Sequence, residues 1–213
     1  MQIEAILADP ENSILLITPG EDRDVVIGAP HHAPLGVPEL PCADHSMSDE
    51  NAGLIGYHLS RLLNCRSIIA CNYFRDANKD PGSDYCRRIL SWKPKMLVEI
   101  HGHCSRKVCA DIEISSGTSA RSDWSLQMAE RLRSELTGIP SLQEYTVSGD
   151  FNKIYFKASR SFTIISDEWL PFHVELPWPI RKSQERSRLI GKALAKTIRG
   201  LLTDFNEIRD SNS

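Results

Sequence analysis

Apolar and polar positions follow two rhythms along this chain. Short apolar runs recur at Ile3 to Leu7, Ser13 to Thr18, Val25 to Ile27, Ser67 to Cys71, Met96 to Ile100, Ala110 to Ser115, Phe162 to Ile165 and Phe172 to Leu176. Runs of this length, bounded by turn residues, read as strands. Other stretches carry apolar residues three or four apart. These are Leu54, Ile55, Leu59, Leu62 and Leu63; then Trp124, Met128, Leu132 and Leu136; then Ile190, Leu194, Ile198, Leu201, Phe205 and Ile208. That spacing predicts amphipathic helices, the first capped by Ser48 with Asp49 and Glu50 in its first turn. Asp9-Pro10-Glu11-Asn12 and Pro19-Gly20-Glu21-Asp22 separate the first three strands, which suggests a hairpin or meander. From residue 24 to residue 101 the order is strand, helix, strand, short helix, strand. Such alternation argues for parallel strands. Tyr145 to Phe156 has no clear rhythm, and Gly149-Asp150 marks a turn in it. The prediction is one α/β domain over residues 1–213, a mixed, largely parallel sheet flanked by helices, with a C-terminal helix over 183–208 packed on it.

Several of these elements end in chemistry. The run Met96 to His103, MLVEIHGH, delivers His101 and His103 at the end of a buried strand, with Gly102 between them for backbone clearance. The DVVIGAP strand runs straight into His31 and His32, and Asp49 and Glu50 open the next predicted helix. Either histidine of each pair, with either acid, gives two imidazoles and one carboxylate. That is the ligand set of a catalytic zinc that keeps a fourth position for water. It also suits manganese, cobalt or iron. Glu175, inside the apolar FHVEL run, is a carboxylate that needs a partner or a catalytic role if buried, and it suits a general base. His173 shares its face on a regular strand. Arg75, Asn78 and Lys79 cluster in a polar loop and form a candidate cationic pocket. Each feature also has an ordinary structural reading. Acids in a first helical turn complement the helix dipole. Polar loops are solvated, and His45 and His58 read as a solvated loop residue and a structural helix residue.

Composition narrows the classes. Charged residues are 25% and hydrophobic residues 41%, ordinary for a globular domain. A net charge of −3 gives no case for nucleic acid or an anionic membrane as partner. No apolar run approaches the roughly 20 residues of a membrane span, and Met1 to Leu7 is not a signal peptide. The six cysteines include no CxxC pair, which argues against a zinc ribbon or thioredoxin-type motif, and without a secretion signal they read as reduced thiols of a cytoplasmic protein. Cys104, just past the HGH, is the one candidate nucleophile among them. No glycine-rich phosphate loop is present.

In this order the motifs resemble the N-formylglutamate amidohydrolase family and, more distantly, zinc carboxypeptidases and aspartoacylase-type deacylases. Pro30-His31-His32-Ala33 resembles the family's Pro-His-Ser-Gly, and Glu99-Ile100-His101-Gly102 its Asp-x-His-Ser. Arg75 followed by Asp76-Ala77-Asn78-Lys79 resembles an Arg and its Asp-Leu-Asn-Arg, at shorter spacing. Lys79 stands where the family has an arginine, and lysine cannot make the bidentate fork. The likeness spans residues 24–180. It implies a zinc exopeptidase-like fold, a phosphorylase/hydrolase-like sheet. It implies Zn2+ held by His31, Glu50 and His101, with Asp49 as the alternative to Glu50. Glu175 and Arg75 become catalytic, and Asn78, Lys79, His103 and His32 contact a small-molecule or short-peptide substrate bearing a carboxylate. The activity implied is hydrolysis of an N-acyl amino acid amide. A peptidase or γ-glutamyl hydrolase on the same fold, and a non-catalytic binding relative, are the alternatives.

Overall fold

The computed structural model describes residues 3–211; residues 1, 2, 212 and 213 of the predicted domain lie outside it. The strands among the described residues are β1 (Ile14–Thr18), β2 (Asp22–Ala33), β3 (Asp49–Glu50), β4 (Cys65–Cys71), β5 (Met96–His103), β6 (Ile112–Ser115), β7 (Val147–Ser148) and β8 (Leu170–Pro177). The helices are α1 (Ile3–Leu7), α2 (Ala52–Leu63), α3 (Asp84–Trp92), α4 (Ser122–Thr137), α5 (Phe162–Ile165), α6 (Trp178–Arg181) and α7 (Gln184–Ser211). The strands form one sheet in the order β1-β4-β2-β5-β8-β6-β7, with β3 paired to β2. Pairing is parallel throughout except β1 with β4 and β6 with β8. The fold is a single-domain α/β fold with a mixed, mostly parallel sheet flanked by helices.

The central strands β2, β4, β5 and β8 are buried almost end to end, as parallel strands covered on both faces must be. One face packs Val25, Ile27, Val98, Ile100, Phe172 and Val174 against α2, α4 and α7. The residues between, Val26 and Leu97, face α3 through Tyr85 and Ile89. This alternation decides where the site lies. Glu99 and His101 follow Leu97 at two-residue steps and point to the α3 side, while Gly102 follows Ile100.

Four local expectations change. Ile3–Leu7 and Phe162–Ile165 are short helices, not strands. Runs of four or five apolar residues fit either element, and tertiary context decides. β1 makes no hairpin with β2; it lies antiparallel on β4. Ser48 caps no helix, because its hydroxyl donates to Val37 O (2.5 Å), and Asp49 and Glu50 pair with β2 instead. The helix begins at Ala52, after Asn51 in a left-handed conformation (φ 66°). All six cysteines are free thiols, Cys104 and Cys109 being exposed. No helix among the described residues is long and apolar enough to cross a membrane.

Candidate metal centre

The carboxyl ends of β2, β3, β5 and β8 meet at one place, as ligand sites of α/β sheets do. His31 ends β2 and Asp49 sits on β3 beside it. His101 follows on β5, and Glu175 lies opposite His101 in the β5–β8 register. All four are buried. The Asp49 carboxylate lies between the two imidazoles, 2.9 Å from His101 Nδ1 and 3.6 Å from His31 Nδ1.

Each imidazole is held from behind by a second carboxylate. His31 Nε2 donates to Asp76 Oδ1 (3.2 Å), and His101 Nε2 donates to Glu99 Oε2 (3.3 Å). A carboxylate on the far nitrogen fixes the tautomer and turns the near nitrogen toward a metal. Asp76 is anchored by Lys79 Nζ (2.7 Å). Glu99 is wholly buried and accepts from Asn78 Nδ2 (2.8 Å), Tyr85 OH (3.0 Å) and Thr163 Oγ1 (2.8 Å). Burial alone would raise its pKa, but hydrogen bonds from His101, Asn78 and Thr163 hold it below the usual carboxylate value.

Three His/carboxylate groups among the described residues bring ligand atoms together: His31, Asp49, His101; His31, His45, Asp76; and His101, His173, Glu175. Ring geometry separates them. An imidazole lone pair lies in the ring plane. His45 stacks on His31 at 3.8 Å and 16°, and His173 stacks on His101 at 4.0 Å and 30°. Rings stacked this way hold their lone pairs in two separate, nearly parallel planes, which disfavours a shared ion. His31 and His101 are edge-on at 5.2 Å and 63°, so their in-plane lone pairs can converge at Asp49.

Electrostatics fit a cation there. Four buried carboxylates, Asp49, Asp76, Glu99 and Glu175, surround the two imidazoles. Burial opposes ionisation of Asp49, yet His101 and His31 hold its pKa well below the usual range. Burial also disfavours a charged His101, but the hydrogen bonds to Asp49 and Glu99 win and raise its pKa to about 10. Glu175 is pushed up to about 8, first by burial and then by the Asp49 charge. Its Oε1 lies 3.4 Å from His173 Nε2, and its Oε2 has no hydrogen-bond partner. An orphaned buried carboxylate oxygen costs free energy unless something else engages it.

The structure sorts the predicted residues. His31, His101 and Glu175 meet, and Asp49 joins them in place of Glu50. Successive strand residues face opposite ways, so Glu50 turns out and its Oε2 accepts from Gly36 N (2.5 Å). Arg75 is exposed over the Phe74 ring (5.5 Å) and is not brought to the cluster. Asn78 and Lys79 lie behind the imidazoles, donating to Glu99 and Asp76. His32 is engaged on both ring nitrogens: Nε2 donates to Leu7 O (3.0 Å) and Nδ1 accepts from Gly53 N (3.1 Å), with its pKa lowered to about 4 by burial. His103 donates to Asp111 O (2.9 Å), away from Asp49. His45, read as solvated, instead covers His31.

Sequence reasoning missed Arg181. It is 2% exposed, and its guanidinium donates to Leu176 O (3.0 Å), Glu50 O (2.5 Å) and His103 O (3.3 Å). Those carbonyls belong to β8, β3 and β5, so one fork ties together the strands that carry Glu175, Asp49 and His101. Gly102 makes room for it, because a Cβ there would lie 2.2 Å from Arg181 Cζ. No local motif around Pro179-Ile180-Arg181 signals this. The role of Asp76 was partly legible, since it stands inside the quoted Asp-Ala-Asn-Lys.

No family model and no curated protein matches the chain. Solved structures do. The gene product Atu2144 from Agrobacterium tumefaciens matches with TM-score 0.55 at 15% identity, over 94% of this chain and 96% of that one. N-formylglutamate amidohydrolase from Ralstonia eutropha JMP134 matches with TM-score 0.54 at 12% identity, over 94% and 100%. A bacteriophage poly-gamma-glutamate hydrolase matches with TM-score 0.51 at 8% identity, over 92% and 90%. At these identities the likeness establishes the fold. The chain therefore shares its fold with these proteins, and its relation to the N-formylglutamate amidohydrolase is one of fold.

Proposed function

We propose that the protein is a metal-dependent amidohydrolase, with His31, Asp49 and His101 as ligands of a divalent metal such as zinc. One observation carries this reading. Two buried imidazoles flank one carboxylate, each imidazole is fixed from behind by another carboxylate, and a further buried glutamate stands beside them with an unpartnered oxygen. A structural cluster has no need of such layering, whereas a catalytic metal does.

When bound, the metal would lower the pKa of a water and polarise the scissile carbonyl. The chain's own residues supply the rest. Glu175 accepts the proton from the attacking water and returns it to the leaving amine. His173, kept neutral chiefly by burial and then by the His101 charge, positions the Glu175 carboxylate through Nε2. Asp76 and Glu99 hold the His31 and His101 rings in place. The substrate class is an N-acyl amino acid or short peptide carrying a carboxylate. Arg75 does not face the cluster and Lys79 is engaged by Asp76, so the carboxylate must be met elsewhere.

The test is metal analysis of the purified protein with turnover of N-acyl amino acids and peptides, on wild type and on Glu175→Gln. The expected result is about one metal ion per chain in both, and turnover lower by about a hundred- to ten-thousand-fold in the variant. A wild-type protein that takes up no divalent metal would overturn the proposal, and full activity in Glu175→Gln would remove Glu175 from its role.

A further inference from the structure

A groove of about 670 Å3 runs beside α2 and α7, away from the imidazole cluster. Arg61, Lys182, Arg188 and Lys192 line it, all exposed. Among the described residues none of these four side chains makes a hydrogen bond or ion pair. Elsewhere on α7 the pattern differs: Lys196 pairs with Glu135 (3.0 Å), and Arg199 donates to Leu62 O (2.5 Å). The acid on the groove wall, Glu4, is engaged by His58 (2.8 Å). Four unpaired cations around one concavity, in a chain of net charge −3, form a local positive field that attracts an anionic ligand.

The groove is not only basic. Leu35 and Leu62 line it at 49% and 40% exposure, and Leu54 is half-buried between them. A single phosphate would fill neither the volume nor the span of cations on two helices. Single-stranded nucleic acid would call for aromatic stacking surfaces, and no Phe, Tyr or Trp lines the groove. A peptide whose carboxylates hang on methylene stems matches both the charge and the apolar floor. From Asn51 to Arg61 the wall follows α2 for about 15 Å at 1.5 Å per residue. That is roughly four to five residues of extended chain.

We propose that this groove binds an extended acidic peptide through Arg61, Lys182, Arg188 and Lys192. Peptide binding there stands apart from the amidohydrolase reading.

The experiment is fluorescence anisotropy with labelled hexaglutamate and hexaglutamine, on the full chain at low and at raised salt. Wild type should bind hexaglutamate at least about tenfold more tightly than hexaglutamine, and less tightly as salt rises. The double reversal Arg61→Glu with Arg188→Glu should weaken it by about tenfold or more, and Lys182→Gln with Lys192→Gln by less. These side chains are exposed and unbonded, so circular dichroism should match wild type. His31→Ala should bind hexaglutamate like wild type. Equal affinity for the two peptides, or a double reversal that binds like wild type, would overturn the proposal. Retained peptide binding in a protein that takes up no metal would sink the amidohydrolase reading alone.

Discussion

Two pairs of histidines stand side by side at the ends of β2 and β5, and the members of each pair keep different partners. His31 and His101 each place a carboxylate on both ring nitrogens. His32 and His103 each donate to a backbone carbonyl, of Leu7 and Asp111. All four are buried, so burial does not distinguish them. Their partners do. A carboxylate behind an imidazole raises its basicity as a metal ligand, and here the carbonyls behind His32 and His103 tie those rings to α1 and to the Asp111 loop. His31 and His32 are one residue apart, so strand alternation parts them, whereas His101 and His103 are two apart on β5 and differ in the partners they meet.

The sharpest way to break this comparison is to remove one member of each pair in turn. His31→Ala should take metal content from about one ion per chain to none while the chain stays folded, because two ligands do not make a tight site. Elemental analysis with circular dichroism reads both. A His31→Ala protein that keeps its metal would move the centre to the His101, His173 and Glu175 group. Asp76→Asn tests the layer behind. Its amide keeps the shape but not the charge, so metal affinity should fall by roughly 10- to 100-fold, measured by competition with a chromogenic chelator. Unchanged affinity would mean that Asp76 serves Lys79 rather than His31.

Much of this was legible in the sequence, and the failures share a cause. The strands ending in His31, His101 and Glu175 announce themselves as apolar runs that stop at polar groups. The parallel pairing of the central strands follows from their alternation with helices. The choice between Asp49 and Glu50 was not legible. It turns on which side of a two-residue strand faces β5, and the sequence there reads as a helix start because Ser48, Asp49 and Glu50 are good first-turn residues. Arg75 was read from a motif, but its neighbours Asp76 and Asn78 are the residues that turn inward. Arg181 carries no local signal, since its partners are three carbonyls 5, 78 and 131 residues away. Long-range hydrogen bonds to backbone leave no pattern in a single sequence.

His32→Ala should sharpen the contrast in the other direction. The imidazole links α1 to α2 across β2, and Gly53 approaches it so closely that a Cβ there would lie 2.5 Å from His32 Cγ. Truncation leaves Leu7 O and Gly53 N unpaired and opens a cavity. The cost should be about 3 kcal/mol, read as a lower denaturant midpoint with metal content unchanged. Loss of metal at undiminished stability would make His32 a ligand and end the distinction.

The smallest effect belongs to His103. Its imidazole makes one hydrogen bond, to Asp111 O, leaves Nδ1 unpartnered, and rests against Phe156 at 5.4 Å. That bond ties the end of β5 to the loop that carries Cys104 and Cys109. His103→Ala should therefore cost about 1 kcal/mol and leave metal affinity and turnover as they are. The backbone carbonyl of His103, not its ring, is what Arg181 holds, and alanine keeps that carbonyl. A large loss of turnover with metal retained would place the ring against the substrate, and His103 would then belong with His31 and His101.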